Sequence, residues 1–231
     1  IPANVSSIGQ GAFASRITSA YSTYTSSDSI QSHFGWWYAG KYESASCGGG
    51  RLQVVKIAEN SLLKTIQPYT FLGQDALQSI DWESSNIQRI ERAALAFCKS
   101  LKVPQFPKKL KTIDRYAFDA CSSMDTLVLP PRLETIGGHA FKQCTSLDVI
   151  KISSSVRNIN NYAFVGCSTT SRVYTYTVEP TNILQQTFSC WHVASLYVPS
   201  TSYYNYYYNT QWSQFINLFE FDEDYDYFYL N

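Results

Sequence analysis

Apolar and polar residues alternate along this chain in two linked rhythms, and together they repeat every 23 residues. The first rhythm runs Leu110-Lys-Thr-Ile113-Asp-Arg-Tyr-Ala117-Phe118-Asp-Ala-Cys121. It recurs as Leu133-Glu-Thr-Ile136-Gly-Gly-His-Ala140-Phe141-Lys-Gln-Cys144 and as Val156-Arg-Asn-Ile159-Asn-Asn-Tyr-Ala163-Phe164-Val-Gly-Cys167. The second fills the space after each Cys, as in Met124-Asp-Thr-Leu127-Val-Leu129-Pro130 and Leu147-Asp-Val-Ile150-Lys-Ile152. Leu127 and Leu129 read inward while Thr126 and Val128 read outward, a period of two that predicts a strand. Pro130 ends it, because proline offers no N–H to a ladder. The pattern places short parallel strands near 79–82, 103–106, 126–129, 149–152, 172–175 and 195–198. The Leu-x-x-Ile segment and the Ala-Phe turn form the opposite wall, as short extended or 3₁₀ pieces.

Self-similarity at this period means a solenoid. One unit cannot fold alone. Each large apolar side chain contributes roughly 1.5–3 kcal/mol on burial, whereas ordering the backbone costs about 1–2 kcal/mol for every residue. Stacked copies share one core, so stability comes from the interfaces between neighbours.

Taken along the chain, Ile1-Pro2 through Ala12-Phe13 matches Leu129-Pro130 through Ala140-Phe141, so the solenoid begins at residue 1. An insertion at about 14–50 departs from the pattern, rich in Ser, Thr and Tyr, with the cluster Phe34-Gly-Trp36-Trp37-Tyr38. The register recovers at Leu63-Lys-Thr-Ile66, loosens after Cys167, and returns at Thr187-Phe188-Ser-Cys190. Residues 1–199 thus read as one solenoid domain. Residues 200–231 abandon the repeat and read as a C-terminal cap, a helix followed by an extended strand that covers an otherwise open end.

The phrase Leu-x-x-Ile-x-x-x-Ala-Phe-x-x-Cys-x-x-Leu-x-x-Ile-x-Ile resembles the leucine-rich repeat of BspA-like bacterial surface proteins. The run Ala194-Ser-Leu196-Tyr197-Val198-Pro199, with Tyr206 and Trp212-Ser-Gln-Phe215 behind it, is similar to the ending common in that family. The resemblance implies a right-handed leucine-rich-repeat solenoid of short parallel strands with 3₁₀ or short helical turns. It also implies secretion or cell-surface display and a binding or adhesive role.

Composition adds little beyond this and excludes some classes. The chain has 231 residues, 45% hydrophobic and 16% charged, as an ordered domain requires. Eighteen basic residues balance eighteen acidic ones, so there is no basic excess to displace the counterions of a nucleic acid. No apolar run is long enough to span a membrane. Five Cys, at 98, 121, 144, 167 and 190, stand 23 residues apart. In a solenoid they form a ladder of parallel side chains, which suits inert buried thiols better than disulfides or a convergent metal site.

Candidate chemistry is sparse. Gly9-Gln-Gly11-Ala-Phe-Ala14 fits a loose dinucleotide pattern, yet the Ala-Phe of the repeat explains it. Asp222-Glu-Asp224-Tyr-Asp226 lacks the Gly and the final Glu of a calcium loop. His33, His139 and His192 have no partner at ligand or base spacing, and no nucleophile motif occurs. Neither an enzyme nor a cofactor or metal is expected.

Recognition is expected on the strand face. Outward residues five and seven places after each Cys-equivalent position form two columns. One holds Ser79, Val103, Thr126, Val149, Arg172 and Ser195. The other holds Asp81, Gln105, Val128, Lys151, Tyr174 and Tyr197. Their identities vary while the core does not, as sites free of packing constraint do. Arg and Tyr are residue types enriched in binding hot spots. Expected partners are a host or neighbouring-cell surface protein or the extracellular matrix. Alternatives are a glycan held by the Tyr and Trp clusters, or a spacer role within a larger surface protein. Trp36 and Trp37 either form a binding platform or pack the insertion onto the solenoid.

Overall fold

Each repeat folds as one turn of a parallel-strand solenoid, seen in a computed structural model that describes residues 1–2, 4–14, 51–59, 61–102, 105–184 and 186–222. The insertion with Trp36 and Trp37, and Val103, lie outside the described residues. The segment after a Cys or the equivalent position supplies the longer strands: β1 (Val54–Lys56), β3 (Ser79–Asp81), β6 (Thr126–Val128), β8 (Val149–Ile152), β10 (Arg172–Thr175) and β11 (Ser195–Pro199). The Leu-x-x-Ile segment supplies two-residue strands, β2 (Thr65–Ile66), β4 (Arg89–Ile90), β5 (Thr112–Ile113), β7 (Thr135–Ile136) and β9 (Asn158–Ile159). These five pair in parallel in the order β2-β4-β5-β7-β9 and form the second wall. Both walls are extended structure, because alternation with a buried Ile or Leu persists on each.

Between the walls lies a single large core of the repeated residues. Phe118, Phe141, Phe164 and Phe188 stack with centroids 5.3, 5.4 and 4.9 Å apart. The Ala-Phe turn sets this spacing, since Phe118 N donates to Ala140 O and Phe141 N to Ala163 O, both at 2.8 Å. A small residue fits there: Ala117, Ala140 and Ala163 are fully buried where rungs approach, as are Thr70 and Thr187 at the same place in their repeats. The Cys ladder is buried and free of disulfides at all five described positions. Four of the thiols reach back one rung: Cys98 Sγ donates to Phe71 O at 3.2 Å, Cys121 Sγ to Leu95 O at 3.3 Å, Cys144 Sγ to Phe118 O at 3.3 Å and Cys167 Sγ to Phe141 O at 3.2 Å. Burial pushes the Cys121 and Cys144 thiols well up and Cys190 up to about 12.

The turns hold a feature that composition hides. Tyr69, Ala93, Phe97, Tyr116, Ala120, His139, Gln143 and Tyr162 all have φ between 51° and 62°. A left-handed non-glycine residue costs about 1–2 kcal/mol. None of these is β-branched, the type that fits this region worst. Bonds across rungs offset the strain, as in Ala120 N to Lys142 O at 2.7 Å and Tyr116 N to Gly138 O at 3.1 Å.

Two sequence expectations meet a more particular structure. The strand expected over 103–106 is not present at Gln105 and Phe106. Pro104 and Pro107 bracket that stretch, and proline cannot donate to a ladder. Among the described residues β1 and β3 pair with each other, while β6 begins a second sheet. Phe106 remains in the core, stacked on Trp82 at 6.4 Å and edge-on to Phe118 at 5.6 Å.

After Pro199 the chain makes a 3₁₀ turn (Ser200–Ser202), helix α1 (Tyr203–Tyr207), a second 3₁₀ turn (Trp212–Gln214) and strand β12 (Asn217–Phe221). Tyr206, Trp212 and Phe215 are buried against the last rungs. Tyr206 Oη donates to Thr177 O at 3.0 Å and Trp212 Nε1 to Thr181 O at 2.8 Å. β12 then joins β11 in parallel, giving the sheet order β12-β11-β10-β8-β6. At the other end, Phe13 stacks on Phe71 at 5.5 Å and its N–H reaches Thr70 O at 2.9 Å, as a repeat neighbour does.

Candidate recognition surface

Parallel pairing in register turns sequence columns into spatial ones. Thr126, Val149, Arg172, Ser195 and Asn217 are successive partners, and so are Val128, Lys151, Tyr174, Tyr197 and Phe219. Paired residues on parallel strands share a face, and the inward partners Leu127, Ile150, Val173 and Leu196 are fully buried. The two columns therefore face solvent over five rungs.

Sequence reasoning named most of this patch: Lys151, Arg172, Tyr174, Ser195 and Tyr197 are contiguous. Val128 lies at its β6 border. Asp81 stands apart, on β3 beside Lys56 of β1, and Gln105 is exposed outside any strand. Trp36 and Trp37 lie outside the described residues. Asn217 and Phe219 of β12 were missed; the alternation of Leu218 with Asn217 and Phe219 is the signal that marks them.

The rings of the second column stack on one another. Tyr174 and Tyr197 have centroids 4.5 Å apart at 16°, and Tyr197 and Phe219 are 5.2 Å apart at 27°. Lys151 Nζ closes the column at one end, 5.3 Å from the Tyr174 ring centroid. Each stacked pair is worth roughly 0.5–1.5 kcal/mol and an exposed cation–π contact roughly 0.5–1 kcal/mol. Their larger effect is to fix the rings before any partner arrives. Because the faces cover each other, the column presents ring edges outward; only the outer face of Phe219, 45% exposed, has no ring over it among the described residues.

A polar cluster flanks the rings. Arg172 Nη2 donates to Asp148 Oδ2 at 3.1 Å, and Ser171 Oγ donates to Asp148 Oδ1. The Ser171 bond and then the Arg172 guanidinium hold the Asp148 carboxyl below its ordinary range, and Asp148 in turn raises Arg172. Both partners are nearly half exposed, so the pair adds at most about 1 kcal/mol of stability; it orients the guanidinium beside Tyr174. Asn217 Nδ2 donates to Ser195 Oγ at 3.2 Å. Among the described residues no cluster of His, Cys, Asp or Glu is placed to hold a metal ion. No helix there is long and apolar enough to cross a membrane.

Comparison with known proteins agrees with this architecture. The family description "BspA type Leucine rich repeat region" matches residues 47–131 and 111–221, in six copies. The chain is similar to a Treponema pallidum leucine-rich repeat protein, with 20% identity, a TM-score of 0.54, and 75% of this chain and 72% of that chain covered. It is also similar to the pneumococcal vaccine antigen PcpA, with 17% identity, a TM-score of 0.60, and 74% of this chain and 42% of that chain covered. No curated protein matches the sequence.

Proposed function

The chain belongs to the BspA-type leucine-rich repeat family, and we propose that it is a non-enzymatic binding module, secreted or displayed on the cell, that recognises a protein through the β6-to-β12 sheet. The observation that carries this reading is the prestacked column Lys151, Tyr174, Tyr197 and Phe219 with Arg172, Ser195 and Asn217 beside it. Tyr and Arg dominate protein hot spots, and Ser and Asn supply adaptable polar contacts around them. Rings already immobilised lose little side-chain entropy on binding. The expected partner is a surface protein of a host or neighbouring cell, or an extracellular-matrix protein. That one structural neighbour is a vaccine antigen supports display.

A sugar ring needs a bare aromatic face, and in this column the faces are taken up by neighbouring rings except the outer one of Phe219 among the described residues. The glycan reading draws support instead from Tyr204, Tyr207 and Tyr208 around α1, which are 70%, 54% and 75% exposed. A panel of purified matrix proteins probed beside a glycan array, with the native chain and Tyr197→Ala, separates the two. The expected result is a protein ligand whose binding weakens at least about five-fold in Tyr197→Ala. Glycan binding alone, unchanged in that variant, would overturn the proposal.

A further inference from the structure

We propose that the outer edge of β12 takes up an extended segment of a partner protein that carries Lys or Arg opposite Glu220. All five residues of β12 pair with β11 on one side; on the other, the described residues offer no strand. An open edge with backbone donors and acceptors is a template for strand addition. Two features make this edge selective. Glu220 pairs in register with Val198, a fully buried core residue, so it stands on the core side of the sheet where every preceding rung is uncharged: Val198, Thr175, Ile152 and Leu129. A charge turned inward on an edge strand repels ordinary apolar strands, and Glu220 has no cationic partner among the described residues. The second feature is the stack itself. At its far end a cation, Lys151, closes the ring column, whereas at β12 no ring among the described residues covers the outer face of Phe219. An incoming strand with a basic residue opposite Glu220 neutralises the charge, and its neighbouring residue covers Phe219. An acidic residue there meets like charge, which weakens its binding.

The site is the edge of the sheet and shares Phe219 with the face above, but its selectivity rests on Glu220, so the Glu220 variant tests it apart from that reading. The probes are two labelled, end-capped heptapeptides of alternating Thr and Val that differ only in Lys or Glu at one core-side position. Their binding is read by fluorescence anisotropy, and amide exchange of β12 by NMR. The Lys peptide is expected to bind at least about ten-fold tighter than the Glu peptide, and to slow exchange of β12 amides. Glu220→Lys should reverse the order, N-methylation of alternate peptide residues should abolish binding, and Lys142→Ala should change nothing. If β12 amides stay unprotected with both peptides, or the preference survives Glu220→Lys, the proposal is overturned.

Discussion

Replacing Phe141 with Ala removes a ring that lies flat between Phe118, at 5.3 Å, and Phe164, at 5.4 Å. The side chain is fully buried, and losing its transfer out of water costs roughly 2–3 kcal/mol. Cross-rung bonds at 2.8 Å on either side hold the backbone apart, so the hole collapses only in part. A residual cavity of ~50 Å³ at about 24 cal/mol per Å³ adds ~1 kcal/mol. Two stacked pairs lost at roughly 0.5–1.5 kcal/mol each bring the expectation to about 4–7 kcal/mol, a large part of the roughly 5–15 kcal/mol a domain has. Urea unfolding followed by far-UV circular dichroism measures it. The same assay on a double-mutant cycle isolates the neighbour term. Phe141→Ala with Phe164→Ala should depart from additivity by about 0.5–1.5 kcal/mol, while Phe71→Ala with Phe164→Ala should add to within about 0.5 kcal/mol. A single-mutant loss under about 2 kcal/mol, or additivity in the adjacent pair, would refute the claim that rungs are stabilised mainly by their neighbours.

Three further outcomes follow from other parts of the structure. Gln143 holds φ 54°, so Gln143→Gly should raise stability by up to about 1 kcal/mol; Gly166→Ala should lower it, since its Cβ would sit 3.0 Å from Gln143 Cγ at φ +79°. Thermal unfolding of the two variants should shift in opposite directions. His139 is stacked between Tyr116 and Tyr162, and burial, then Lys142 and Arg115, push it down to about 4. Between pH 6.5 and 4 the unfolded chain takes up a proton there that the folded chain refuses, so this contribution is full above pH 6.5, falls as pH drops, and levels off below 4. His139→Phe should flatten that part of the urea-midpoint profile between pH 8 and 4, and identical profiles would contradict it. Cys144→Ala removes the thiol donor from Phe118 O, which keeps the Cys121 N–H at 3.3 Å, and should cost about 0.5–1.5 kcal/mol for that bond, with Cys144→Ser milder because a hydroxyl restores a donor; equal urea midpoints for the two would show that the thiol only packs.

The 23-residue phrase made most of the architecture legible, because a buried Leu, Ala, Phe or Cys at a fixed place leaves few ways to stack. Strands β6, β8, β10 and β11 fall where alternation put them. What escaped has physical reasons. Tyr116, His139 and Gln143 give no warning of left-handed turns, since cross-rung bonds and not intrinsic preference hold them there. The interruption at Gln105 comes from two prolines in a stretch whose apolar spacing still reads as a strand. The extended strand after the cap helix was expected, but not its pairing as a further rung on β11, because Leu218 follows Leu196 one place short of the repeat, after a cap whose tyrosines break the phrase. For the site, the columns could be counted from the Cys positions, whereas the stacking of Tyr174, Tyr197 and Phe219 needed the last strand in place.

Affinity mapping of the first protein ligand found tests the recognition surface most directly. Arg172→Ala, Tyr174→Ala and Tyr197→Ala should each weaken binding by at least about 1 kcal/mol, the usual mark of a hot spot, while Lys142→Ala, on a turn away from the strand face, should not. Equal affinities for all four variants would contradict the account and place recognition elsewhere on the chain.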